Sequence, residues 1–142
     1  SSALFDRVAG GLKYSTSGKT GYVGVSNVVG AMTQLMNSNL SGERYILSGG
    51  DYTYAEIMEM IASSLGSPRS MKLLSPSSLN WLARMDAVRG LFSGKRKLTS
   101  IQAHAAFNES TYSSQKVSEA LGFEFTPIDK VVADICSFYQ AR

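Results

Sequence analysis

Cysteine and histidine are almost absent from this 142-residue chain, each occurring once, as Cys136 and His104. One Cys closes no intrachain disulfide, and one Cys with one His cannot supply the ligands of a structural zinc site. Cys136 lies in an apolar helical pattern and is expected as a small buried hydrophobe in a reducing compartment. Proline is scarce too, at 3 residues, and the 13 glycines follow no fixed period, which excludes collagen and Pro/Gly-rich disorder. Uninterrupted apolar runs span only a few residues, far short of the about 20 that a membrane helix needs, so no membrane partner is expected. The chain begins Ser-Ser-Ala-Leu-Phe, with no charged segment leading into an apolar one and hence no signal-peptide pattern. Cytoplasmic localisation is the default expectation.

Charge of one sign is also lacking. Lys and Arg number 14 against 11 Asp and Glu, a net charge of +3. The excess is local: Arg69, Lys72, Arg84, Arg89, Lys95, Arg96 and Lys97 share their segment with one anion, Asp86. Without interleaved exposed aromatics such a stretch reads as a solvated face, and no nucleic-acid partner is expected.

What is present is a soluble globular composition, 44% hydrophobic and 18% charged. A chain of this size forms one domain and buries roughly 68% of its unfolded surface. No internal repeat is visible. Periodicity predicts a helix over Ala3 to Val8, stopped by Gly10 and Gly11, then a strand over Tyr22 to Val25. Ser26 or Asn27 caps a helix whose Val28, Ala31, Met32, Leu35 and Met36 form a stripe spaced for burial. A strand is expected over Arg44 to Leu47. Thr53-Tyr54-Ala55-Glu56 is a capping box, opening a helix with Ile57, Ile61 and Leu65 on one face and Gly66 and Pro68 at its end. Met71 to Leu74 reads as a strand, and Ser75-Pro76 as cap and first position of a helix reaching Leu91. Helices near Ile101 to Phe107 and Ser114 to Leu121 follow, then extended Phe123 to Phe125. The last helix, opened by Thr126-Pro127, is expected to carry Ile128, Val131, Val132, Ile135 and Phe138 inward. The fold class is therefore α/β, mostly helical with about four short strands, too few for a full doubly wound sheet.

Motifs for chemistry are sparse. Ser17-Gly18-Lys19-Thr20 matches the end of a phosphate-binding loop, but Lys13 stands where its first Gly belongs and a strand follows where a helix is needed, so a turn is expected. No G-x-G-x-x-G occurs, and His104 has no nucleophile elbow to serve. Tyr112-Ser113-Ser114-Gln115-Lys116 has the spacing that sets a phenol and an ammonium on one helix face, though the Ser pair suggests a cap that takes Tyr112 off the helix. No catalytic residue and no metal ligand is expected in this chain.

The order of pieces is more specific. Gly21-Tyr22-Val23-Gly24-Val25-Ser26-Asn27-Val28-Val29 is similar to Gly-(Phe/Tyr)-Val-Asp-Val-Arg-Asp-Val-Ala, and Gly42 to Gly49 to G-E-R-Y-I-L-x-G. Tyr112 to Gly122 is like D-x-S-K-A-x-x-x-L-G, and Phe125-Thr126-Pro127 precedes a terminal amphipathic helix. In that order they resemble the C-terminal, substrate-binding region of an extended short-chain dehydrogenase/reductase of the NAD-dependent epimerase/dehydratase group, dihydroflavonol-reductase-like. The resemblance spans residues 1–142. Gly24 and Asn27 stand where that family has Asp.

The resemblance implies a parent enzyme that uses NAD or NADP to pass a hydride between nicotinamide and a carbonyl or carbinol carbon of a small-molecule substrate. The Gly-rich turn and the catalytic Ser, Tyr and Lys would belong to a nucleotide-binding domain preceding this stretch, so this chain alone is expected to bind no cofactor and to be inactive. Its substrate-facing candidates are Ser2, Phe5, Lys13, Tyr14, Thr20 and Tyr22, with Arg69 and Lys97 second. The strand at Arg44 to Leu47 and the helix at Val28 to Met36 would return to the missing domain, leaving edges and apolar surface for dimerisation or strand exchange. The alternative is a free-standing, non-enzymatic binding module derived from the same fold, with a polar surface where that domain would have packed.

Overall fold

The computed structural model describes residues 2–78, 81 and 106–141. The expected helices between Leu79 and Phe107, with His104 and the basic residues from Arg84 to Lys97, lie outside that range except for Trp81, Ala106 and Phe107. In chain order the elements are α1 (Ser2–Ala9), β1 (Tyr14–Ser15), β2 (Lys19–Tyr22), α2 (Val25–Met36), β3 (Gly50–Thr53), α3 (Tyr54–Ser64), β4 (Lys72–Leu73), α4 (Gln115–Leu121) and α5 (Ile128–Gln140). The mixed α/β class holds, with helices dominant and short strands.

α3 lies at the centre. Its Ile57, Ile61 and Ala62 meet Phe5 and Val8 of α1 and Ile128, Val132 and Cys136 of α5, with Met71 closing the cluster. Ile128, Val132 and Cys136 recur every four residues, so they form a continuous inward row on α5. The wider face expected on α5 is corrected by one helical stripe: Ile135 and Phe138 are exposed, because α3 covers only the 128/132/136 row.

α3 starts where the capping box places it. The Thr53 hydroxyl accepts the Glu56 N–H at 3.2 Å, and Glu56 Oε2 accepts the Thr53 N–H at 2.7 Å. The Thr53 N–H bond first, and then the Thr53 hydroxyl donating to Oε2 at 2.9 Å, hold the Glu56 carboxyl below its ordinary range. Thr53→Ala is expected to cost about 1 kcal/mol in denaturant unfolding at neutral pH. Since the folded pKa is lowered, the carboxylate's contribution is present above the unfolded value and lost as pH falls through the folded one, so the deficit should shrink in acid.

The strands depart from expectation. β2 ends at Tyr22, where a strand was expected to begin, and pairs antiparallel with β3, Lys19 opposite Thr53 and Tyr22 opposite Gly50. Its start is held from both sides: the Lys19 N–H donates to the Asn108 carbonyl and the Lys19 carbonyl accepts from Ser110. Arg44 to Leu47 forms no strand, because no ladder partner lies beside it among the described residues. Side chains tether this stretch instead. Lys116 Nζ reaches Glu43 at 2.5 Å and lies 5.1 Å from the Tyr45 ring centre, and the Ser114 hydroxyl donates to the Ser48 carbonyl. The strand expected over Met71 to Leu74 forms as β4, which pairs in parallel with β1, a strand not expected, and Ser75 accepts from the Ser78 N–H as a helix cap.

Candidate functional site: an apolar cavity at the β2–α2 junction

β2 runs out at Tyr22, and Val23 and Gly24 lead the chain into α2. Beside the junction lies an open apolar pocket of about 280 Å³. Phe5 of α1, Tyr22 of β2, Ile57 and Ile61 of α3, and Val132 and Ile135 of α5 line it. The lining is nearly all hydrocarbon, which suits an apolar ligand. Tyr22 alone among the lining residues carries a polar side-chain atom. Burial, with a smaller effect from Tyr54, pushes its phenol up to about 12, so it stays a hydrogen-bond donor over the physiological range.

A raised phenol pKa has a signed consequence. The stability of keeping Tyr22 neutral is present below its unfolded value near 10 and is lost as pH rises through about 12. Spectroscopic titration of phenolate formation should therefore lose a late-titrating tyrosine in Tyr22→Phe, and the alkaline fall in stability should lessen. Loss of a phenol titrating near the ordinary 10, with the late one retained, would place Tyr22 in solvent.

Gly24 shapes the rim. It is the N-cap of α2 with no side-chain bond, and an added Cβ would lie 3.0 and 3.2 Å from the Val131 methyls. Val131 thus fills the space in which an Asp at this position would stand. Asn27 does not cap α2 as expected, because the helix begins earlier, at Val25. Asn27 is buried, and its Oδ1 accepts from the Thr126 backbone N–H at 3.3 Å and hydroxyl at 3.0 Å. That pairing ties the α2 start to the α5 entry and leaves Nδ2 without a partner among the described residues.

Of the six candidates, the cavity gathers Phe5 and Tyr22. Lys13 is exposed, its carbonyl accepting the Lys72 N–H beside the β1–β4 pair, and Tyr14 is exposed within β1. Thr20 sits opposite Tyr52 in the β2–β3 ladder, away from the cavity, and Ser2 is the first residue of α1. Arg69 is used locally, its guanidinium bonding to the Ser67 carbonyl and hydroxyl, and Lys97 lies outside the described residues. Val131 and Ile135 were not expected to line a site; their three-and-four spacing with Phe138, on a second stripe of α5, was the available signal.

Two motif readings resolve. Gly18 N–H donates to the Ala106 carbonyl, Lys19 N–H to the Asn108 carbonyl, and the Gly18 carbonyl accepts from Tyr54, so these amides of the loop are spent on protein. Tyr112 stands before α4, its N–H on the Asp51 carboxylate, while Lys116 is engaged by Glu43. Burial pushes the Cys136 thiol up, as befits a packing residue. Among the described residues no cluster of three or more His, Cys, Asp or Glu could hold a metal, and no helix is long and apolar enough to cross a membrane.

No family model and no curated protein matches the chain. Among solved structures it is similar to gox2253, with a TM-score of 0.73 at 18% identity over 99% of this chain. At that identity the likeness establishes a shared fold. The match covers 43% of gox2253, so this chain spans less than half the length of that protein.

Proposed function

We propose that this chain is the substrate-binding lobe of a larger NAD(P)-dependent oxidoreductase or epimerase of the extended short-chain dehydrogenase/reductase kind, dihydroflavonol-reductase-like, and is inactive alone. The observation that carries the reading is the cavity that joins Phe5 to Tyr22, two residues expected to face substrate. Its size and hydrocarbon walls suit the body of a small apolar or aryl carbonyl compound, and the neutral Tyr22 phenol can donate to the carbonyl oxygen. Hydride chemistry belongs to the nicotinamide held by the remainder of the parent. The residues here do not fit that group: the Gly18 and Lys19 amides are committed to Ala106 and Asn108 rather than free for phosphate. The exposed apolar residues of α2 disfavour the alternative, a free-standing module with a polar surface in their place.

Titration of NADPH and, separately, of aryl ketones into the purified chain tests both halves of this reading. NADPH fluorescence is expected to stay unchanged and turnover to be absent, while a fitting ketone raises the melting temperature. Tight NADPH binding or ketone reduction would overturn the inactivity. Ketones that stabilise wild type and an Ile57→Trp cavity-filled variant equally, or neither, would remove the cavity from the assignment.

A further inference from the structure

Tyr22 is the last residue of β2, and its partner across the ladder is Gly50. Outside the ladder, the Gly49 N–H donates to the Tyr22 carbonyl at 2.7 Å. An ideal Cβ on Gly49 would lie 3.3 Å from that carbonyl and 3.3 Å from Ile128 Cδ1, so the Gly49 backbone fits closely between β2 and a lining residue of the pocket. Gly49 and Gly50 have no Cβ to restrict their own conformations. What keeps the pair in place must therefore come from outside it.

The segment that enters α4 supplies this hold. Ser114 is the N-cap of α4, yet its hydroxyl makes no capping bond to its own helix. Ser is favoured at an N-cap because the hydroxyl accepts a helix N–H. Here it donates instead to the Ser48 carbonyl at 2.8 Å, 66 residues away in the chain. Two residues before Ser114, the Tyr112 N–H donates to both oxygens of the Asp51 carboxylate, at 3.2 and 3.1 Å. The Tyr112 ring lies against Gly21: an ideal Cβ there would stand 2.8 Å from Tyr112 Cδ2 and 2.9 Å from Ser48 Oγ. Residues 112–114 thus grip residues 48–51 at both ends and touch β2 immediately before Tyr22.

The geometry points to Ser114 as a positioning residue for the Tyr22 phenol, acting through Ser48 and Gly49, with Tyr112 and Asp51 as the second half of the same clamp. A residue at a strand end frays when the bond that holds its main chain is lost, and its side chain then has no fixed face to occupy. Removing the Ser114 hydroxyl takes its donor from the Ser48 carbonyl and frees the Gly49 N–H to drift from Tyr22. The role rests on the reading of Tyr22 as the hydrogen-bond donor to the substrate. A bond that only stabilised the fold would cost stability without moving the phenol.

Alkaline spectroscopic titration of the purified chain reads the clamp directly. In Ser114→Ala the Tyr22 phenol is expected to titrate earlier, from about 12 towards the ordinary 10, and Ser114→Thr, which keeps a hydroxyl, should restore the late titration. The difference between Ser114→Ala and wild type should vanish in the Tyr22→Phe background, which assigns it to that phenol. Glu59→Ala removes the acceptor of the Met71 N–H beside β4 and serves as the control for mere loosening; it should leave the late titration in place. Should Ser114→Ala fail to fold, Asp51→Ala takes its place, with the same earlier titration expected. The rise in melting temperature caused by a fitting aryl ketone should fall in Ser114→Ala to about half or less of its wild-type size. Late titration retained in the Ala variant, no rescue by Thr, a shift that persists without Tyr22, an equal shift in Glu59→Ala, or a ketone effect that Ser114→Ala leaves intact would each overturn the proposal. A titration that responds as expected while no ketone stabilises wild type would remove the substrate reading and leave the clamp standing.

Discussion

Ile61→Ala is expected to destabilise the chain by about 3 kcal/mol, the centre of the cost for removing a buried aliphatic side chain. Ile61 is 1% exposed, sits where α3 meets α5, and lines the pocket. The cavity beside it already denies some packing contacts, which keeps the cost from the top of the known range. The vacated volume cannot close cheaply, because both neighbouring helices are held by further members of the cluster. In thermal unfolding a loss of that size should lower the midpoint by roughly 10 °C. Ile135→Ala on the outer stripe, where the side chain is 43% exposed, should cost well under half as much. Equal losses at both positions would mean that the inner row of α5 is not the one that α3 covers.

Gly18→Ala should cost about 2–3 kcal/mol through overpacking alone. Gly18 is buried between the Ala106 backbone and the Tyr54 ring. A Cβ there would stand 2.9 Å from the Ala106 carbonyl carbon and 2.9 Å from Tyr54 Cε2, and closer still to the Ala106 oxygen. Backbone resists such a shift more than a flexible side-chain tip does. The same contact carries the Gly18 N–H bond to Ala106 at 3.1 Å, and Gly18 accepts from Tyr54 at 3.0 Å, so a displacement weakens the entry to α3 as well. Ser17→Ala next to it, at an exposed site, should stay within about 0.5 kcal/mol. The pair of variants, measured by denaturant unfolding, separates a structural turn from a phosphate loop: a phosphate loop would show its defect in nucleotide binding, with stability nearly intact.

Much of the chain was legible from local chemistry. The Thr53–Glu56 box opens α3 because a hydroxyl and a carboxylate three residues apart satisfy helix N–H groups wherever they occur. Gly122 ends α4 in a left-handed conformation, and Ser75 caps a helical turn by the same kind of short-range geometry. Phe5 and Tyr22 were marked as substrate-facing through resemblance, and the fold brings them to one cavity. Lys13, Tyr14 and Thr20 were not separable from them by sequence, because which strand lies beside which is a long-range matter. β3 illustrates the point: Gly50-Asp51-Tyr52-Thr53 has little strand character of its own and becomes a strand because β2 lies opposite.

Arg44 to Leu47 shows the converse, with strand-like residues but no ladder partner among the described residues. The α2 stripe and the outer row of α5 teach the same lesson about faces. Periodicity states that Val28, Ala31, Met32, Leu35 and Met36 share a helical pattern, yet Ala31 is fully buried while Met32 and Met36 face solvent. By itself, then, the sequence determined the helices around Val28 to Met36, Thr53 to Ser64 and Ile128 to Phe138, the capping box of α3 and the presence of apolar stripes. Only the tertiary structure decided which stripe is covered, which extended segment finds a partner, and where a cavity opens between them. The physical reason is range: capping and periodicity act over three or four residues along the chain, whereas burial and strand pairing depend on what another, distant segment places alongside.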